Sequence, residues 1–180
     1  GKFDQFKRTI PYSAVIQAFR GFIRQLLTET EDRIIQWKEK LLNVLGPNGQ
    51  ILIEVIPEVE LITGAQPVVP ELPPFQEQNR FNFVFQNFVR TCAAAEHPLV
   101  IFLDDLQWAD SSSLKLIELF MGDPHTHFML FIGAYRDNEV HDAHPLMITL
   151  NNIQQAGTPV NTITLKPLGL THINHLIADA

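Results

Sequence analysis

The chain has 180 residues, 46% of them hydrophobic and 18% charged, enough for one domain with a real core. Twenty acidic residues against 13 basic ones give a formal charge of -7, which argues against a nucleic-acid partner, since that needs a basic footprint. The one cysteine, Cys92, cannot form an internal disulfide and suits a reducing, cytoplasmic setting. No apolar run approaches the roughly 20 residues of a membrane helix, and the start of the chain carries no signal-peptide pattern.

In chain order, Ser13 is expected to cap a helix over 14–28, with Val15, Ile16, Phe19, Phe22, Ile23, Leu26 and Leu27 at helical spacing. Thr30 caps a second helix through Leu45, and Gly46-Pro47-Asn48-Gly49 stops it. Residues 50–61 mix alternation with Pro57 and read as short helical turns. Four prolines between Gly64 and Pro74 make that stretch an extended connection. Residues 76–95 read as a helix with Phe81, Val84, Phe85, Phe88 and Val89 on one side. Cys92 falls there among alanines, as a buried inert thiol.

The second half changes period. Leu99–Leu103 is a continuous apolar run of strand length, of the kind buried on both faces of a parallel sheet. A helix over Ser111–Met121 follows, capped by Asp110 or Ser111. A second buried strand spans 128–134, a helix Pro145–Gln155 and an alternating third strand 160–165. Thr171 caps a last helix that runs to Ala180. Strands alternating with helices give an α/β fold with a mainly parallel sheet and a helix-rich N-terminal half.

The first strand ends in Asp104 and Asp105. Ligands of open α/β sheets bind beyond the carboxyl ends of the strands. Adjacent ionised carboxylates repel, and a bound Mg²⁺ relieves that cost. Successive strand residues point to opposite sides, so one acid can hold the cation while the other orients water. The alternative is a polar strand end with one acid capping the next turn.

LVIFLDDLQWADSSSLKLI, over 99–117, resembles the Walker B region of the STAND branch of AAA-type P-loop NTPases. GKFDQFKRTIPYSAVIQAFRGFIRQLL, NGQILIEVIPEVELITG, QNRFNFVFQNFVR and LFIGAYRDNEV resemble, in that order, the ATPase module of bacterial multi-sensor signalling kinases. Those proteins join a serine/threonine kinase domain, this module, a GAF sensor and often a histidine kinase. The resemblance covers nearly the whole chain. It implies a partial P-loop, AAA-like three-layer sandwich that binds ATP and Mg²⁺ and neighbours kinase and sensor domains, with no nucleic-acid or membrane partner. It further implies a capacity to oligomerise.

Residue by residue, the resemblance makes Asp104 the Mg²⁺ ligand, through water, and Asp105 the catalytic base. It makes Arg136 the sensor of the γ-phosphate. The alternative for Arg136 is a surface arginine paired with Asp137 or Glu139. No G-x-x-x-x-G-K-S/T stretch exists; Gly1-Lys2 is followed by Phe3, which brings no hydroxyl. In the resembling family GKFDQ lies just after the strand that follows the P-loop helix. The 180 residues are therefore expected to be a fragment of one ATPase domain, cut at both ends and inactive alone. The non-enzymatic alternative is a scaffold between kinase and sensor domains. His141/His144 and His172/His175 have metal-like spacing, but no carboxylate or cysteine set completes a site, and solvent or helix contacts are expected of them.

Overall fold

The helices of the first half form where the apolar spacing places them. The computed structural model describes residues 1–6, 10–167, 169, 170, 174, 177 and 178. Helix α1, Ser13–Leu26, buries Ala14, Val15, Phe19, Ile23 and Leu26 along one side. Ser13 is the first helical residue and not the cap; Tyr12 precedes it with a left-handed φ of 63° and makes no side-chain cap bond. Tyr12 instead donates its backbone N–H to Ser113 Oγ at 3.1 Å, which joins the start of α1 to the second half of the chain.

Helix α2, Glu31–Leu45, follows Thr30 and buries Trp37, Leu41 and Leu45. It stops at Gly46, whose φ of 50° and ψ of -132° suit a residue without a Cβ. Short helical turns then follow as expected: α3, Gly49–Val55, and α4, Glu60–Thr63, flank a 3₁₀ turn at Pro57–Val59. Residues 64–73 are an extended connection. Helix α5, Pro74–Cys92, starts two residues earlier than expected because proline is tolerated in a first helical turn. Phe85 and Phe88 are fully buried, whereas Phe83 is exposed, two residues and so about 200° around the helix from Phe85. Cys92 is buried, and burial pushes its thiol pKa well up.

Strand β1 spans Leu99–Leu103 and pairs in parallel with β2, Met129–Gly133. The crossover runs through α6, Ser111–Met121, which Asp110 caps by accepting from Ser113 N at 2.9 Å. The fold is thus α/β with a small parallel sheet under a helix-rich first half. Leu99, Ile101 and Leu103 join α1, α2, α5 and α6 in one hydrophobic cluster. Phe85 sits at its centre, stacked 5.7 Å from Phe120 and edge-on to Phe19 at 5.4 Å.

Two expectations are corrected. Strand β1 is buried on one face only, with Val100 and Phe102 57% and 49% exposed, and β2 is buried on neither: Leu130 and Ile132 are exposed beside them, and Met129 and Phe131 are only partly covered. The described helices that bury the sheet gather on the opposite face, in the cluster around Leu103. Nor do residues 160–165 form a strand; Ile163 and Leu165 are exposed, and no described strand lies beside them to supply ladder bonds. Helix α7, Pro145–Gln155, has the expected bounds and packs on α6. His144 caps it by accepting from Leu146 N at 3.1 Å. The helix expected over 171–180, with His172 and His175, falls largely outside the described residues. Among the described residues no helix is long and apolar enough to cross a membrane.

The turn at Pro57–Val59 is tied to α1 by charge. Glu58 accepts from Arg20 Nε at 2.9 Å and from Arg24 Nη2 at 2.8 Å. The bond from Arg20 is the main reason that the Glu58 carboxyl lies at about 2, against an ordinary 4.5. A depressed folded pKa stabilises the protein above the unfolded value and loses that contribution as pH falls through the folded one. Melting temperature is therefore expected to drop between pH 4.5 and about 2 more steeply in the wild type than in Glu58→Gln. Calorimetry across that range checks it, with the two proteins converging at the acid end.

Candidate functional site

Beyond the carboxyl end of β1, three segments meet. Gly1 O accepts from Asp104 N at 3.0 Å, and Phe3 N donates to Asp104 O at 3.0 Å, so residues 1–3 run parallel to the end of β1. On the other side, Ala134 N donates to Leu103 O and Leu106 N to Ala134 O, both at 2.9 Å. Leu106 also packs tightly over Gly133, where an added Cβ would come within 2.3 Å of Leu106 Cδ1. These bonds set Lys2, the two acids and Arg136 side by side.

Asp105 takes a left-handed backbone, φ 54° and ψ 44°, which aspartate tolerates better than most residues. This overturns the expectation that the acids point to opposite sides: strand geometry ends at Asp104, and the reversal at Asp105 brings both carboxylates to one point. Lys2 Nζ lies 3.1 Å from Asp104 Oδ2 and 2.8 Å from Asp105 Oδ2. The Asp104 side chain is 37% exposed and that of Asp105 only 7%. Asp104 Oδ1 accepts from Asp105 N at 2.9 Å. The Asp105 carboxyl is held below its ordinary pKa, first by the bond from Lys2 and then by one from Gln107. The same two acids raise the pKa of Lys2, Asp105 the more strongly.

Arg136 follows β2 and reaches this cluster. Its Nε lies 3.7 Å from Asp105 Oδ1, while Nη1 pairs with Glu139 Oε1 at 3.0 Å. The guanidinium lies over the Trp108 ring at 5.2 Å, and Trp108 Nε1 donates to Glu139 Oε2 at 3.1 Å. Arg136 therefore both faces the acid and holds the surface pairing with Glu139.

Sequence reasoning missed Lys2 and Gln107. Gln107 is buried; its Nε2 donates to Asp105 Oδ1 at 3.0 Å and its Oε1 accepts from Arg136 N at 3.2 Å. One amide thus joins the acid to the backbone that carries Arg136. The signal was a polar residue between Leu106 and Trp108, where burial was not expected. In the sequence Lys2 stands out only beside Gly1 as part of a failed phosphate loop; its pairing with residues about a hundred positions away has no local signal. Beside Lys2 opens a cleft of about 450 Å³ lined by Phe3, Asp4, Phe6, Gln17 and Trp108 among others. Among the described residues no group of three or more histidine, cysteine, aspartate or glutamate side chains is arranged to hold a metal. Asp104 and Asp105 offer two carboxylates, of which that of Asp104 is open to solvent.

A family model described as "AAA ATPase domain" matches residues 1–132, taking in Lys2, Asp104, Asp105 and Gln107 and stopping short of Arg136. The chain is 44% identical over 121 residues to hybrid signal transduction histidine kinase G of Dictyostelium discoideum. That alignment covers 67% of this chain and 4% of the relative's length. No solved structure matches.

Replacing Gln107 by leucine removes a donor from the buried Asp105 and an acceptor from Arg136 N. Unpaired buried polar groups cost about 1–3 kcal/mol, so Gln107→Leu should lose that much stability in urea unfolding. A loss under about 0.5 kcal/mol, the range of ordinary surface substitutions, would contradict the bridging role.

Proposed function

The chain belongs to the AAA ATPase domain family, and from that membership we propose that it forms part of an ATP-binding regulatory module in a multi-domain signalling kinase. The kinase setting is supported by its likeness to a segment of a hybrid histidine kinase, of which it spans 4%. In this reading LVIFLDD is the Walker B strand of a STAND-type module, and the neighbouring kinase and sensor domains belong to the same protein. A cytoplasmic site and nucleotide-driven oligomerisation go with it.

The observation that carries the reading is the gathering of Asp104 and Asp105 on one cation beyond the end of β1, with Arg136 3.7 Å from Asp105. The donor set fits Mg²⁺: hard carboxylate oxygens, open to solvent on the Asp104 side. Asp104 would hold the metal, through water. When bound, Mg²⁺ supplies charge neutralisation on the nucleotide phosphates. Asp105, less exposed and oriented by Gln107, would accept a hydrogen bond from the attacking water. Arg136, freed from Glu139, would place its charge against the terminal phosphate.

A second reading has an observation of its own. Lys2 already pairs with both Asp104 and Asp105, so the acids have a cationic partner without a metal. A scaffold that transmits signals without hydrolysis needs nothing more.

Binding of a fluorescent ATP analogue by the complete kinase separates the two. In Mg²⁺, Asp104→Asn should weaken binding by roughly ten-fold or more, the usual cost of disturbing a metal's support. In EDTA the variant and wild type should match. Equal binding in Mg²⁺ would favour the scaffold.

A further inference from the structure

Lys2 is tethered and free at once. Its backbone is pinned by the bonds of Gly1 and Phe3 to Asp104, and its own N–H donates to Gln17 Oε1 at 3.0 Å. The side chain, by contrast, is 62% exposed on a flexible four-carbon stem. Its ammonium is held by the two carboxylates, at 2.8 and 3.1 Å. A cation coordinated by Asp104 would lie within a few ångströms of that ammonium, and like charges so close repel strongly. The metal's coordinated water and the ammonium compete for the same carboxylate oxygens. Only the head group of Lys2 can yield, and the cleft beside it gives it room.

Resting on the reading of Asp104 as a cation ligand, we propose that Lys2 is an internal counter-ion. It holds Asp104 and Asp105 together in the cation-free state, and an incoming divalent cation must displace it. The released ammonium loses two anionic partners. It regains one when a phosphate arrives with the metal, so Lys2 makes tight cation binding conditional on an anionic ligand. Bare metal is disfavoured, which keeps the acids paired until nucleotide comes.

The test titrates MnCl₂ alone into the chain and reads free Mn²⁺ by electron paramagnetic resonance. Circular dichroism verifies the fold of each variant; Lys2 is exposed and carries no core packing. Lys2→Met should bind Mn²⁺ on the order of ten-fold more tightly than wild type, through loss of a close like charge. Adding Asp104→Asn to Lys2→Met should abolish that binding. Arg136→Met, which removes a cation facing Asp105 alone, should gain less. Equal Mn²⁺ affinity in wild type and Lys2→Met, abolished by Asp104→Asn, would overturn the counter-ion role and leave the cation site standing. A gain in Arg136→Met as large as in Lys2→Met would overturn it too, by reducing the effect to net charge. No Mn²⁺ binding by Lys2→Met would sink the cation reading of Asp104, and this inference with it.

Discussion

Asp104 and Asp105 stand next to each other where an apolar strand meets solvent, and both are gathered on Lys2. Two carboxylates in such a place repel and are costly to strip of water unless a cation is near. Much of the local structure serves that one requirement. The left-handed turn at Asp105 aims both acids one way. Residues 1–3 run alongside β1 and deliver the ammonium. Gln107 fixes the rotation of the less exposed carboxylate and joins it to Arg136. The fit of Leu106 over Gly133 keeps the end of β2 from drifting away.

The apolar core holds this arrangement from behind. Leu103, the last residue of β1, is fully buried and shares its cluster with Phe19, Phe85 and Phe88. Tyr12 and Ser113 tie the first helix to the one after the acids. A shift of α1 would therefore be felt at Lys2 through Gln17, which accepts from the Lys2 backbone. The sheet, in contrast, leaves Val100, Phe102, Leu130 and Ile132 exposed on its other face.

The elements were legible wherever local pattern decides them. The apolar run of β1 and the bounds of α6 and α7 follow from spacing and end signals alone, which leave the cap of α6 open between Asp110 and Ser111; the structure has Asp110. The proline connection over 64–73 follows from fixed φ and absent donors. What failed depends on neighbours. An apolar run does not say whether one face or both are covered, and alternation over 160–165 does not make a strand without a partner. Of the site, Asp104, Asp105 and Arg136 were readable as candidates and do lie together. Lys2 and Gln107 were not, because a long-range ion pair and a buried amide have no periodic signature. The direction of the acids departs from strand alternation because strand geometry ends at Asp104 and Asp105 turns left-handed.

We propose that the carboxylates ending β1 are the point where this chain takes a divalent cation. Amide ¹H–¹⁵N spectra of Lys2→Met, which lacks the competing ammonium, recorded during a titration with MnCl₂ test it most directly, because the bound paramagnet broadens the nearest amides first. Loss of intensity should begin at Phe3, Asp104, Asp105 and Gln107. Broadening that begins instead at exposed acids elsewhere, such as Glu31 and Asp32 at the start of α2, while Asp104 and Asp105 stay sharp, would contradict the proposal.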